Sequence, residues 1–287
     1  MDTFLTKGDK GMAQKTWLIT GVSSGFGRHM TEQLLAQGDR VAGTVRRTEA
    51  VQDLKSRYPH QLWLDHLDVT DTSEIRRVVT KAFADLGRID VVVNNAGYGL
   101  FGAAEELADE QINHQIATNL VGSIQIVRAA LPHLRAQGSG RIIQLSSYAG
   151  QAAIPGASLY NVTKWGIEGF IEAIEQEIAP FGISISIVEP GGTQTEFRFG
   201  GSQLGPKMDV YDDTPARTTP GIIQDRSRLS QGDPAKMARI IIESFDQNPA
   251  PKRIVLGSDA YAIIRKALTE RLANLESQKD LAFSTDL

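Results

Sequence analysis

Tyr160 and Lys164 stand four residues apart in Ser158–Ala179, a stretch whose apolar spacing predicts a helix. Positions i and i+4 share a helix face, so the ammonium can lie beside the phenol. A free phenol has a pKa of ~10 and is a poor base at neutral pH. A neighbouring cation stabilises the phenolate, which makes proton exchange with a bound substrate feasible. A surface i,i+4 pair would look the same in isolation. Ser147 lies 13 residues before Tyr160, beyond the predicted strand Gly140–Ser146. Asn119 falls inside a predicted helix, Gln111 to Leu134, whose other polar positions read as solvent-facing. The four supply hydrogen-bond donors and acceptors plus one cation.

A second constellation is the glycine turn Thr20-Gly21-Val22-Ser23-Ser24-Gly25-Phe26-Gly27, between a predicted strand and a predicted helix. Glycines let the backbone approach a pyrophosphate, and a helix N-terminus adds free N–H groups and the positive end of a dipole. Gly21, Ser23, Ser24, Gly25, Phe26 and Gly27 are therefore candidate cofactor contacts. The spacing G-x-x-x-G-x-G departs from G-x-G-x-x-G, and a tight chain reversal could use the same glycines. Selection of NAD commonly places an acid at the end of the second strand, against the ribose 2′-hydroxyl. Here Val45 is followed by Arg46 and Arg47. A guanidinium can pair with a 2′-phosphate, so NADP(H) is expected rather than NAD(H), with Arg46 the favoured contact and Arg47 the second.

These groups need a scaffold. From Thr16 onward short β-rich runs alternate with amphipathic helical stretches, the pattern of βαβ units. Strands are predicted at Thr16–Thr20, Arg40–Val45, Gln61–His66, Asp90–Val93, Gly140–Ser146, Ser184–Glu189 and Arg253–Leu256. Helices include Gly27–Gln37, Thr72–Leu86 and Ser158–Ala179. Near-continuous apolar strands imply burial on both faces, so the expected fold is α/β: a three-layer doubly wound Rossmann sheet of about seven parallel strands, in a single domain. Two segments break the rhythm. Residues 196–232 are rich in Gly, Pro, Asp, Ser and Thr, and read as a lid, a binding loop or a disordered insertion. From Ser258, the spacing of Ala260, Ile263, Ile264, Ala267, Leu268, Leu272 and Leu275 predicts a helical extension, 258–287, packed on its own domain or on a partner. Residues 1–14 read as a flexible leader, leaving 15–257 as the cofactor-binding and catalytic domain.

The motifs occur together and in order, and the chain resembles the short-chain dehydrogenase/reductase family in its compact single-domain form. The resemblance rests on Thr20-Gly21-x-x-x-Gly25-x-Gly27, Asp68 in Leu67-Asp68-Val69, Asn94-Asn95-Ala96-Gly97, Asn119, Ser146-Ser147, Tyr160-x-x-x-Lys164, and Pro190-Gly191 with Thr195. It implies that Asp68 holds the adenine amino group and that Asn95, with Ala96 and Gly97, lies along the adenine ribose. Thr195, with Thr193, would bind the nicotinamide carboxamide on a wall shaped by Pro190 and Gly191. Ser147 would polarise the substrate carbonyl, Tyr160 would act as acid/base with Lys164, and Asn119 would support a water chain. The 13-residue spacing favours Ser147 over Ser146. The residues around Thr44-Val45-Arg46 and the C-terminal extension resemble the branch with retinol and hydroxysteroid dehydrogenases, which implies a bulky hydrophobic ketone or alcohol. The family also implies a homodimer or homotetramer.

Composition narrows the alternatives. The 287 residues carry a net charge of −4, with Lys and Arg scattered rather than clustered, so no nucleic-acid partner is expected. The absence of cysteine excludes thiolate catalysis and disulfides and suits a cytoplasmic setting. No apolar run reaches the ~20 residues of a membrane span. The five histidines lack ligand spacing, and no metal is expected. The expected activity is an NADP(H)-dependent oxidoreductase, a carbonyl reductase or secondary alcohol dehydrogenase. Competing readings are an epimerase or dehydratase of the same superfamily, and a non-catalytic NADP(H)-sensing protein. Phe197, Phe199 and Tyr211 either line a substrate pocket or anchor the lid, and Tyr98, Leu100, Tyr148, Ile154 and Trp165 suggest an apolar pocket.

Overall fold

The structure is a computed structural model that describes residues 14–225 and 227–287. The expected leader lies, apart from Gln14, outside the described residues. In chain order the strands are β1 Thr16–Thr20, β2 Arg40–Val45, β3 Leu62–His66, β4 Val91–Asn94, β5 Gly99–Phe101, β6 Gly140–Leu145, β7 Ile183–Pro190, β8 Ser202–Leu204 and β9 Arg253–Leu256. The helices are α1 Gly25–Ala36, α2 Gln52–Arg57, α3 Thr72–Leu86, α4 Asp109–Ile116, α5 Ser123–Gln137, α6 Ser158–Ile178, α7 Glu196–Phe199, α8 Thr218–Gln224, α9 Pro234–Glu243, α10 Ser258–Glu276 and α11 Lys279–Phe283. Seven strands form one parallel sheet in the order β3-β2-β1-β4-β6-β7-β9. The fold is the expected doubly wound α/β sheet.

Period-two alternation sorts the strand residues onto two faces. Leu18, Ala42, Val92, Ile142 and Ile185 pack with α3, α5 and α6, through Ile75, Val78, Val127, Ile167 and Ile171. Trp17, Ile19, Val41, Val91, Val93, Ile143 and Val188 pack the other way, on Met30, Leu34 and Ile241 of α1 and α9. Both faces are apolar, which is why these strands read as continuous runs.

The helix ends follow local chemistry. Asp71 caps α3, accepting from the N–H groups of Ser73 and Glu74, and Asp233 caps α9, where Pro234 stands in the first turn. Ser24 precedes α1 without a side-chain cap, leaving that N-terminus to another partner.

Three expectations change. The single helix Gln111–Leu134 is α4 and α5 joined by a π-helical turn, Ala117–Gly122. Its polar residues are not all solvent-facing, since Gln115, Asn119 and Ser123 are buried. The segment 196–232 is not one loop but contains α7, β8, α8 and two 3-10 turns. Within it β8 pairs with β5 in a small parallel sheet, Gly99 opposite Ser202 and Phe101 opposite Leu204. The extension forms α10 and α11, of which Ala260 and Ile264 are buried, whereas Leu268, Leu272 and Leu275 stay exposed. Among the described residues no helix is long and apolar enough to cross a membrane.

Candidate active site

The glycine turn sits at the C-terminal edge of the sheet, where the strand order reverses between β1 and β4. Gly21 and Gly25 have φ of +74° and +53°, which a Cβ would strain. A Cβ at Gly27 would collide with the Gly21 carbonyl, so glycine is what brings α1 hard against the turn. Ser23 and Ser24 are exposed at the mouth and Phe26 packs on the core behind it. Uncapped N–H groups in a glycine cradle fit a diphosphate.

Asn95 ties two segments of the site together. Its amide Nδ2 donates to the carbonyls of Thr20 and Gly21, at 2.8 and 3.1 Å. Its backbone N–H, with that of Ala96, donates to Thr20 Oγ1. It therefore pins the segment after β4 to the glycine turn. Asp68 accepts from the N–H and hydroxyl of Thr70, and these bonds hold its carboxyl below the usual range, despite partial burial, with help from His114 and Arg46. Arg46 and Arg47 are exposed at the end of β2, and Arg46 is near enough to Asp68 to act on its charge.

At the other side, β7 ends at Pro190, and Gly191 N–H donates to Leu256 of β9. Gly192 N–H donates to Asp259 of α10 at 2.8 Å, and a Cβ at Gly191 would strike that same carboxylate. Thr193 donates to the Gly191 carbonyl, and Thr195, preceding α7, faces Gly25 across the cleft. Gly25, His29, Thr193, Thr195 and Arg228 line a cavity of about 280 Å³ there.

The proton-transfer candidates meet where β6 ends. Tyr160, Thr163 and Lys164 are on the buried face of α6. Ser147 accepts from the N–H of Ala149 at 3.2 Å, which leaves its own proton free to be donated toward Tyr160, whose phenol it lies near enough to influence. Ser146 points elsewhere and donates to Glu168. Asn161 fixes the intervening loop, donating to Ala149 and Ala152 at 2.7 Å and accepting from Ile154 N–H.

Burial pushes the Tyr160 phenol well above its ordinary range, and Ser147 opposes this. The Lys164 ammonium lies 5.6 Å from the Tyr160 ring centroid and donates to the Leu145 carbonyl at 3.0 Å. Burial is the largest influence on the phenol and favours its protonated form. Lys164 is itself brought down to about 8, because burial disfavours the ammonium while Glu168 supports it. Asn119, in the π-helical turn, accepts from Tyr98 N–H at 3.0 Å and donates to the Tyr98 carbonyl at 2.7 Å, with Thr163 further off at 3.5 Å. A Cβ at Gly97 would come within 3.1 Å of its Oδ1.

Above Tyr160 lies an apolar cage. The rings of Phe101 and Phe197 stand 5.6 and 5.9 Å from its own, and Ile154, Leu204 and Ile223 complete the cluster. Phe197 thus lines the site, whereas Tyr211 anchors the lid by donating to Glu105 at 2.6 Å. The Phe199 side chain lies outside the described part. Leu100 belongs to the core and Tyr148 is largely buried, but Trp165 faces outward under the Arg271 guanidinium, 4.6 Å away, and is no part of the pocket. Three features were missed from sequence. Phe101 sits on a three-residue strand, Glu168 is a buried acid on α6, and Arg217 forms a two-pronged pair with buried Glu106, at 2.9 and 2.6 Å. The one available signal was the i, i+4, i+8 spacing of Tyr160, Lys164 and Glu168.

Comparison with known proteins identifies the family and the fold. The family model described as short chain dehydrogenase matches residues 15–200. A solved short-chain dehydrogenase from Streptomyces avermitilis shares 37% identity, covering 96% of this chain and 100% of its own, with a TM-score of 0.90. A structure described as ElxO with NADP bound shares 28% identity over 85% of this chain and 96% of its own, at a TM-score of 0.69. A 3-ketodihydrosphingosine reductase from Bacteroides thetaiotaomicron is 32% identical over 253 residues, 87% of this chain and 90% of that protein.

Proposed function

The chain belongs to the short chain dehydrogenase family and is an oxidoreductase, and from that premise we propose that it is an NADP(H)-dependent reductase of bulky, apolar carbonyl compounds, or dehydrogenase of the matching secondary alcohols. The observation that carries this reading is the meeting of Ser147, Tyr160 and Lys164 beneath the Phe101–Phe197 cage, across the sheet edge from the glycine turn. Gly21, Gly25, Gly27 and the uncapped start of α1 would hold the cofactor diphosphate, Asp68 the adenine end, and Thr193 and Thr195 the nicotinamide end. When bound, the nicotinamide supplies the electron pair for reduction. The residues supply the proton and the field. A Tyr160 that keeps its proton is suited to donate it to the substrate oxygen. Ser147, whose acceptor side is occupied by Ala149, donates to that oxygen as negative charge develops. Lys164 offers a nearby positive charge to the phenolate left behind. The reverse reaction needs Tyr160 deprotonated, and burial works against that.

Support for NADP(H) over NAD(H) comes from Arg46 at the end of β2 with no acid beside it, and from the NADP bound by ElxO. The apolar cage and the sphingoid ketone named for the Bacteroides relative favour a large hydrophobic substrate. The complete Ser147, Tyr160 and Lys164 set argues against a purely sensing role. The test is NADPH oxidation with a panel of aliphatic and aryl ketones, aldehydes and quinones. Tyr160→Phe should retain NADPH binding and melting temperature while losing about 10²–10⁴-fold in turnover. Near-normal turnover in that variant would remove the reading.

A further inference from the structure

α6 carries a third buried polar group in line with Tyr160 and Lys164. Glu168 follows Lys164 by one turn, with only 3% of its surface exposed. The backbone makes room for it, since a Cβ at Gly150 would collide with its carboxylate. Ser146 donates to Oε1, and the Arg253 guanidinium of β9 donates to Oε2 at 2.7 Å. Arg253 also binds Glu189 of β7 and, toward solvent, Glu172 of α6 at 2.6 Å. Gln151 donates to Glu189 at 2.9 Å. The enclosed set therefore holds two cations, Lys164 and Arg253, and two carboxylates, Glu168 and Glu189. Tyr148, of the turn after β6, and Asp259, of α10, face this region from the Tyr160 side.

We propose that Glu168 is a positioning residue whose carboxylate keeps the buried Lys164 ammonium charged, and so sets the alkaline edge of the pH range in which Tyr160 works. The inference rests on the reading of Tyr160 and Lys164 given above. The direct hydrogen bond of Lys164 goes to a neutral carbonyl, Leu145, which cannot balance a buried charge. The carboxylate one turn away can, because Ser146 and Arg253 favour its ionised form against its own burial, and burial and Glu168 are the two opposing influences on this ammonium. Arg253 competes for the same carboxylate, so it should weaken the hold that Glu168 has on Lys164.

The experiment reads Lys164 directly, by 15N NMR titration of the lysine ammonium groups in the full chain, with Lys164→Met assigning the resonance. Glu168→Gln should move the midpoint at least about one pH unit toward acid, as expected for loss of an opposite charge nearby. Arg253→Met should move it toward alkali. Ser146→Ala removes a hydrogen bond from the same carboxylate without changing charge, and should leave the direction unchanged. The alkaline limb of NADPH oxidation, with the fastest ketone of the panel above, should move with the midpoint. A midpoint unmoved in both Glu168→Gln and Arg253→Met overturns the proposal, and if Glu168→Gln does not fold, Arg253→Met decides it. A midpoint that moves while the rate limb stays still overturns the reading of the Tyr160–Lys164 pair instead.

Discussion

The two halves of the candidate site are held by different forces. Below Tyr160 the groups stand on β6, β7 and α6, elements fixed by an apolar core on both faces of a parallel sheet. Above it the lid, 196–232, has little core of its own. It is fastened by β8 pairing with β5, by Arg217 on Glu106, by Thr219 donating to the Pro155 carbonyl at 2.7 Å, and by Tyr211 on Glu105. Hydrophobic burial is insensitive to protonation, whereas ion pairs are not. The lower half is thus a platform fixed mainly by apolar packing around one buried ion cluster on Arg253, whereas the upper half adds, as its fastening, exposed and partly buried polar ties to the few apolar contacts of Phe197, Leu204 and Ile223.

Changes on the platform should alter chemistry or cofactor and leave the lid alone. Arg46→Ala should raise the KM for NADPH about 10–100-fold, matching the loss of one charge-assisted contact, with little change for NADH. Equal losses for both cofactors would sink the 2′-phosphate assignment. Changes in the fastening should act on substrate capture. Arg217→Met strands buried Glu106, and should raise the KM for a bulky ketone about 10-fold, with kcat nearly kept and new protease cleavage within 196–232. Loss of kcat without new cleavage would erase the distinction between the two halves.

Acid should separate them next. Arg217 holds the Glu106 carboxyl at about 2, far below its ordinary 4.5. A depressed carboxyl contributes stability that is full above the ordinary value and is lost as pH falls through the folded one. Protection factors for amide exchange in 196–232 should therefore fall several-fold between about pH 4.5 and pH 2, ahead of those in β4 and β6. Lys164 depends on pH in the same direction but in another window: its lowered value of about 8 means that its burial costs stability below that pH, and that this cost fades as pH rises from there toward 10.5. The smallest effect is expected for Tyr211→Phe, about two-fold in KM, because its hydrogen bond to Glu105 is exposed.

Much of the platform was legible before the structure. β1, β2 and β9 fall on the expected residues, because strands buried on both faces leave unbroken apolar runs bounded by turns. Tyr160, Lys164 and Ser147 converge because helical spacing and strand ends are local facts. The segment 196–232 was legible as a break in the pattern, but its internal elements were not. β5 and β8 are three residues long and gain their stability from each other across a wide sequence gap, so neither carries a periodic signal. The π-helical turn that aims Asn119 at Tyr98 was likewise hidden, since one extra residue per turn leaves a helical pattern nearly intact. Glu168 was passed over because acids on helices are usually solvated, and only the packing of Gly150 and Arg253 reveals it as interior.

The contact of Asp259 with Gly191 and Gly192 has a practical corollary for anyone cutting or tagging this protein. A chain stopped at Gly257 would look like a tidy domain with a dispensable appendage removed. It would in fact have lost the acid that holds the Gly192 amide, beside the threonines assigned to the nicotinamide end. Shortening should begin beyond Glu276, past the last turn of α10, and an inactive shorter version would say nothing against the chemistry proposed for Tyr160.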